Sequence, residues 1–68
     1  MENIIRALRQ ENNLSQEKLA QMLGVSRQTI NSLEAGRYNP SIILAFKISK
    51  VFNRSIEAIF DYKEEENE

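Results

Sequence analysis

The 68-residue chain contains neither cysteine nor histidine. Without cysteine it can form no disulfide and no thiolate metal site. Without histidine it lacks the commonest general base, the commonest metal ligand and every Ser-His or Cys-His nucleophile arrangement. No glycine-rich phosphate loop occurs, and no spacing places two carboxylates together on an inward surface. We therefore expect a protein that is not an enzyme, holds no metal and needs no cofactor.

Long apolar runs are also missing. No stretch approaches the roughly 20 apolar residues that span a bilayer. The first residues, MENIIRAL, are too polar and too few for a secretory signal. We expect a cytoplasmic protein with no membrane partner.

The net charge of −1 is unevenly distributed along the chain. Residues 61–68 hold five acids and one lysine, whereas residues 1–60 hold eight lysines and arginines against five acids. The first 60 residues are therefore mildly basic, which permits nucleic-acid binding without requiring it. The final KEEENE lacks apolar residues and predicts a disordered acidic tail at 63–68. Residues 1–62 then form one small domain.

Two groups of apolar residues in the middle of the chain have helical spacing. The groups are Leu19, Ala20 and Leu23, then Ile30 and Leu33. Between them, Gly24 can adopt the left-handed conformation that ends a helix, and the Ser26 hydroxyl can cap the next one. The pattern predicts two helices joined by a tight turn. In DNA-binding proteins with this arrangement, the second helix enters the major groove.

Three further helices are predicted around this pair. The first runs from about Glu2 to Glu11, with Ile4, Ile5 and Leu8 as its apolar stripe. The other two follow Ser41 and Ser55, each a suitable helix cap. No strand pattern is evident. The sequence therefore predicts an all-α, compact five-helix bundle built around a helix-turn-helix.

Several short motifs together resemble a known family. They are LSQEKLA at 14–20, GVSRQTINSLEAGR at 24–37 and the Pro40–Ser41 pair. With these residues the chain resembles the phage repressor and Cro-like helix-turn-helix proteins, the XRE family of bacterial transcriptional regulators. The resemblance covers about residues 3–60. It implies a lambda repressor-like domain that binds a palindromic operator in double-stranded DNA as a homodimer and acts as a transcriptional repressor.

The outward face of the second motif helix carries the expected base contacts. They are Arg27, Gln28, Asn31 and Ser32, which can all hydrogen-bond to base edges or phosphates. For Asn31 a solvated side chain is an equal alternative, and Ser32 is shorter than the residue usual in relatives. The expected backbone contacts are Gln16, Ser26, Thr29, Arg37, Tyr38 and Asn39. The resemblance also implies that Gln16 braces the recognition helix and that Arg9 and Glu34 form a structural ion pair.

The fourth predicted helix has more apolar residues than its inward face needs. Ordinary partial burial is one explanation, and a homodimer contact is the other. The candidate dimer residues are Ile43, Phe46 and Val51, joined by Phe60 and Tyr62 from the last helix.

An alternative function keeps the same fold. Antitoxins of this family hold a toxin as protein partner and repress their own operon. A module that docks only protein is less consistent with the sequence, because the outward face at residues 27–32 is polar and a protein-docking face should be more apolar.

Overall fold

The computed structural model describes residues 1–61, which contain five helices and two very short strands. In chain order these are β1 (Glu2–Asn3), α1 (Ile5–Glu11), α2 (Gln16–Leu23), α3 (Arg27–Glu34), α4 (Ile42–Phe52), α5 (Ile56–Ile59) and β2 (Phe60–Asp61). The predicted helical bundle is confirmed. Tyr62 and the acidic segment at 63–68 lie outside the described residues. None of the described helices is long and apolar enough to cross a membrane.

Four of the helices begin directly after a serine whose hydroxyl accepts a backbone N–H from the first turn. The bonds run from Lys18 to Ser15, Thr29 to Ser26, Leu44 to Ser41 and Ala58 to Ser55, at 2.9–3.1 Å. Each such cap stabilises a helix by about 1 kcal/mol, because it satisfies a donor that has no partner within the helix.

Left-handed residues follow each of the first four helices, and the one at Gly24 is predicted from the sequence. Gly24 has φ +74° at the end of α2, and Asn53 has φ +55° at the end of α4. Asn13 and Gly36 adopt φ +57° and +78° in the turns after α1 and α3. These positions turn the chain between one helix and the next, and α2 packs against α3 and α4 against α5.

A single apolar core joins all five helices. Its buried members are Ile5, Leu8, Leu19, Ala20, Leu23, Ile30, Leu33, Leu44, Ala45, Ile48, Phe52, Ile59 and Phe60. Ala20 is 4% exposed and lies where α2 meets α3. A larger side chain there would push the two helices apart, since protein interiors are close-packed.

The expectation of no strand was wrong, as was the predicted start of α1. Strands β1 and β2 pair antiparallel, with Glu2 opposite Asp61 and Asn3 opposite Phe60. The Asn3 side-chain oxygen accepts the N–H of Ile5 at 3.0 Å, and α1 begins there instead of at Glu2. Ile4 consequently lies outside the helix and is 41% exposed, so the buried stripe of α1 consists of Ile5 and Leu8.

Candidate nucleic-acid interface

The turn between α2 and α3 fixes the orientation of the second helix. The N–H of Val25 donates to the Ala20 carbonyl at 3.0 Å, which closes the end of α2. Ser26 then caps α3, while Ile30 and Leu33 anchor its inner face with no exposed surface. The opposite face of α3 is therefore held rigidly toward solvent.

Four polar side chains, one from α2 and three from α3, meet at that outer face. Gln16, Arg27, Gln28 and Asn31 line a shallow cleft of about 260 Å³. Gln16 is half-buried and the other three are exposed. The cleft thus offers one guanidinium and three amides, with no carboxylate among the residues that line it. This set can donate to phosphates and can pair with base edges.

The remaining residues predicted on α3 lie elsewhere. The Ser26 hydroxyl accepts the Thr29 N–H at 3.1 Å, and the two hydroxyl groups are hydrogen-bonded at 3.0 Å. Ser26 is exposed and Thr29 is half-buried. Ser32 is half-buried and does not line the cleft. The structure therefore separates these hydroxyls from the Arg27–Gln28–Asn31 group.

Arg37, Tyr38 and Asn39 form an exposed loop directly after α3. The loop is tied to the helix because the Arg37 N–H donates to the Ser32 carbonyl at 3.1 Å. Tyr38 is 41% exposed. All three side chains are accessible, at the opposite end of α3 from the cleft.

The carboxylate of Glu34 connects α3 to α1 and α2. It is fully buried and accepts hydrogen bonds from Arg9 Nε at 2.6 Å and from Gln16 Nε2 at 3.1 Å. Arg9 Nη2 adds a third bond at 3.3 Å, and Arg9 Nη1 donates to the Leu14 carbonyl at 2.8 Å. Arg9 and Glu34 therefore form the contact that the resemblance implies, and they tie three segments together.

Arg6 is a further partner of Glu34 that the sequence analysis did not identify. Its Nε lies 3.3 Å from Glu34 Oε1. Arg6 and Arg9 are three residues apart on α1 and so share one helix face. That spacing could have indicated that Arg6 and Arg9 share a partner, but it does not identify Glu34 as that partner.

Burial and hydrogen bonding have opposite effects on Glu34. Burial raises the pKa of this carboxyl, but the hydrogen bonds from Arg9, Gln16 and Arg6 together outweigh it, and the pKa lies below its usual value. Glu34 is therefore ionised at neutral pH. Its charge fixes the orientation of the Gln16 amide, because a carboxylate only accepts hydrogen bonds and must face Nε2.

The Gln16 amide also reaches α3. Gln16 Oε1 accepts a long hydrogen bond, 3.4 Å, from Arg27 Nε. A chain of contacts thus runs from the buried Glu34, through Gln16, to the exposed Arg27. Gln16 thus braces Arg27. The hydrogen bond between them is long and therefore weak, so Arg27 can donate to another acceptor instead.

An apolar patch lies on α4, away from the cleft-lining residues. Ile42, Ile43 and Phe46 are 69%, 66% and 54% exposed. Val51 is half-buried against the core. Phe60, grouped with the dimer candidates in the sequence analysis, is only 6% exposed, because it pairs with Asn3 and packs in the core. It is therefore not part of the exposed patch.

Among residues 1–61, no group of three or more acidic, histidine or cysteine residues could hold a metal ion.

Comparison with known proteins agrees with this geometry. A family model described as "Helix-turn-helix" matches residues 5–59. An uncharacterised HTH-type transcriptional regulator of Methanocaldococcus jannaschii is 53% identical over 66 residues, which cover 97% of this chain and 100% of that protein. YgzD, an uncharacterised HTH-type transcriptional regulator of Bacillus subtilis, is 46% identical over 67 residues, with coverage of 98% and 100%.

A solved structure is similar as well. It is the restriction-modification controller protein C.AhdI from Aeromonas hydrophila, with a TM-score of 0.73 and 30% identity over 82% of this chain and 85% of that one. The relatives come from both archaea and bacteria. The chain belongs to the XRE-type helix-turn-helix family of DNA-binding transcriptional regulators.

Proposed function

We propose that this protein is a sequence-specific repressor that binds a palindromic operator as a homodimer, with α3 in the major groove. The observation that carries the proposal is the cleft lined by Gln16, Arg27, Gln28 and Asn31. The cleft presents one guanidinium and three amide groups beside α3, whose inner face is anchored in the core by Ile30 and Leu33. In this role the protein acts in the cytoplasm, needs no cofactor and catalyses no reaction.

Base recognition is assigned to the start of α3. Arg27 suits the O6 and N7 acceptors of guanine, and Gln28 suits the N6 and N7 of adenine, each through two hydrogen bonds. Asn31 is one turn further along the same exposed face. Ser32 is half-buried and short, so its contribution to base reading is the smallest of the four.

Backbone contacts are assigned to the two ends of the motif. Gln16 is the first residue of α2, where the helix dipole favours a phosphate. Ser26 and Thr29 add two hydroxyls at the start of α3. Arg37, Tyr38 and Asn39 would hold the strand at the far end of α3. Contacts of this kind set the register of the protein on DNA, whereas the base contacts select the sequence.

The homodimer is assigned to the α4 patch. Three adjacent exposed apolar side chains, Ile42, Ile43 and Phe46, form a surface that a second copy could cover. A two-fold dimer presents the same patch from both subunits and places two recognition helices about 34 Å apart, in successive major grooves. That geometry requires an inverted repeat in the operator.

The test is selection from random duplexes, followed by titration of the enriched duplex and a scrambled one. We expect an inverted repeat to be enriched. Arg27→Ala should cost about 1–3 kcal/mol of specific binding and relax the preference at one base pair. Gln28→Ala should do the same at a neighbouring pair.

Matched controls are available outside the motif. Arg54→Ala removes one exposed arginine between α4 and α5, and Gln10→Ala removes one exposed glutamine on α1. Both should leave base preference unchanged. If no duplex is enriched, or if Arg27→Ala weakens all sequences equally, the assignment of α3 as the base-reading helix is wrong.

A further inference from the structure

Two side chains from different helices meet at one oxygen atom of Glu34. Arg6 Nε from α1 and Gln16 Nε2 from α2 lie 3.3 Å and 3.1 Å from Glu34 Oε1. Glu34 itself has no exposed side-chain surface, while the Arg6 side chain is 60% exposed. The buried carboxylate therefore holds Arg6 beside Gln16, with most of Arg6 directed toward solvent.

The charges of this cluster do not cancel. Arg6 and Arg9 bring two positive charges to the single negative charge of Glu34. Arg9 is 12% exposed and uses all three of its nitrogens, on Glu34 and on the Leu14 carbonyl. Its charge is thus satisfied internally. The excess positive charge lies on Arg6.

Arg6 has unused donors on its exposed side. Among residues 1–61 its guanidinium is hydrogen-bonded to Glu34 through Nε alone. Nη1 and Nη2 are left for an outside acceptor. An arginine fork suits the oxygens of a phosphate, and fixing Nε limits the rotamers that must be ordered on binding.

From this arrangement we propose that Arg6 is a DNA-backbone contact, positioned by Glu34 to bind phosphate beside Gln16. This inference rests on the proposed function, in which Gln16 contacts the operator backbone. It adds α1 to an interface otherwise formed by α2, α3 and the loop at 37–39. It also gives Glu34 a second role, since this residue positions two backbone contacts while it holds the helices together.

The experiment measures affinity for the selected duplex and for a scrambled one from about 50 to 200 mM salt. Each lost phosphate contact should reduce the salt slope by about 0.9, so Arg6→Ala should reduce the slope of a dimer by about 1.8. The affinity ratio of wild type to variant should then fall about tenfold across this range. Arg6→Lys keeps the charge and should retain most of the wild-type slope.

Arg54→Ala is the matched control, because it removes an exposed arginine from outside the helix-turn-helix. Thermal unfolding of each variant accompanies the titrations. Glu34 keeps Arg9 and Gln16 in Arg6→Ala, so this variant should remain folded. A lower slope in Arg6→Ala than in Arg54→Ala, with equal weakening on both duplexes, supports the proposal.

Three results would overturn the inference. One is a slope in Arg6→Ala equal to that of Arg54→Ala. Another is weaker binding with an unchanged slope, which would mean that Arg6 acts only through the fold. The third is weakening on the selected duplex alone, which would make Arg6 a base contact. Failure of the wild type to bind the selected duplex would instead reject the proposed function itself.

Discussion

The Arg9–Glu34 pair offers the sharpest test of how this small domain is held together. The carboxylate is completely buried, the guanidinium is 12% exposed, and the shortest bond between them is 2.6 Å. Removing one partner from such a pair leaves an uncompensated charge, which typically costs 3–5 kcal/mol. The total free energy of unfolding is about 0.1 kcal/mol per residue, or about 7 kcal/mol for the 68 residues, so this loss is a large fraction of it.

The two single substitutions are not equivalent. Arg9→Ala leaves Glu34 with Gln16 and Arg6, so the expected loss falls below this range, at about 2 kcal/mol. Glu34→Ala leaves Arg9 with only the Leu14 carbonyl and a small exposed fraction, and should cost about 3 kcal/mol. The double variant strands neither charge and should also lose about 3 kcal/mol, which gives a coupling of about 2 kcal/mol.

Urea unfolding followed by far-ultraviolet circular dichroism would measure all four corners of the cycle. Thermal unfolding gives a second measure of the same losses. For a domain of this size, each kcal/mol corresponds to about 4–8 °C in the melting temperature, so the single variants should be clearly resolved. A second cycle with Arg6 in place of Arg9 is the control. Arg6 is 60% exposed and 3.3 Å from Glu34, and its coupling should stay below about 1 kcal/mol. Additive losses in the Arg9 cycle would refute the reasoning.

Three other predictions concern acid stability, the turn and the dimer. The pKa of Glu34 is lower in the folded chain than in the unfolded one, so ionised Glu34 stabilises the fold above about pH 4.3 and this contribution is lost as pH falls further. The stability gap between wild type and Glu34→Gln should therefore shrink on acidification in urea titrations, and a constant gap would contradict it. Gly24→Ala should cost about 1 kcal/mol in thermal unfolding, from backbone strain alone, because its Cβ would meet no atom within 4 Å; an unchanged melting temperature would argue against this. Phe46→Ser should shift a wild-type dimer toward monomer in sedimentation, whereas a monomeric wild type at tens of micromolar would exclude a preformed dimer.

The sequence predicts those parts of the fold that depend on neighbouring residues. A serine cap or a left-handed glycine or asparagine determines a helix start or end through contacts within four residues. The apolar spacing in α2 and α3 determines the buried face of each helix over about two turns. Ser26 and Gly24 could therefore be assigned correctly from the chain alone. The outward face of α3 followed from the same periodicity, although its contacts with DNA remain predictions.

Long-range pairing was not predictable in the same way. The strands at 2–3 and 60–61 are two residues long, so they show no alternation, and they pair across nearly the whole length of the described chain. The same pairing moves the start of α1, exposes Ile4 and buries Phe60. Arg6 was missed for a related reason, since its spacing from Arg9 is local but Glu34 is 28 residues away.

The way α3 is anchored has an evolutionary consequence. Ile30, Leu33 and Glu34 fix the helix from inside, whereas Gln28 and Asn31 stand on its exposed face. Substitutions at such exposed positions usually change stability by less than about 0.5 kcal/mol. Under the proposed function, new operator preferences can therefore arise by one or two exchanges on this face without a compensating change in the core. A lineage carrying this scaffold could diversify its targets while the rest of the domain stays the same.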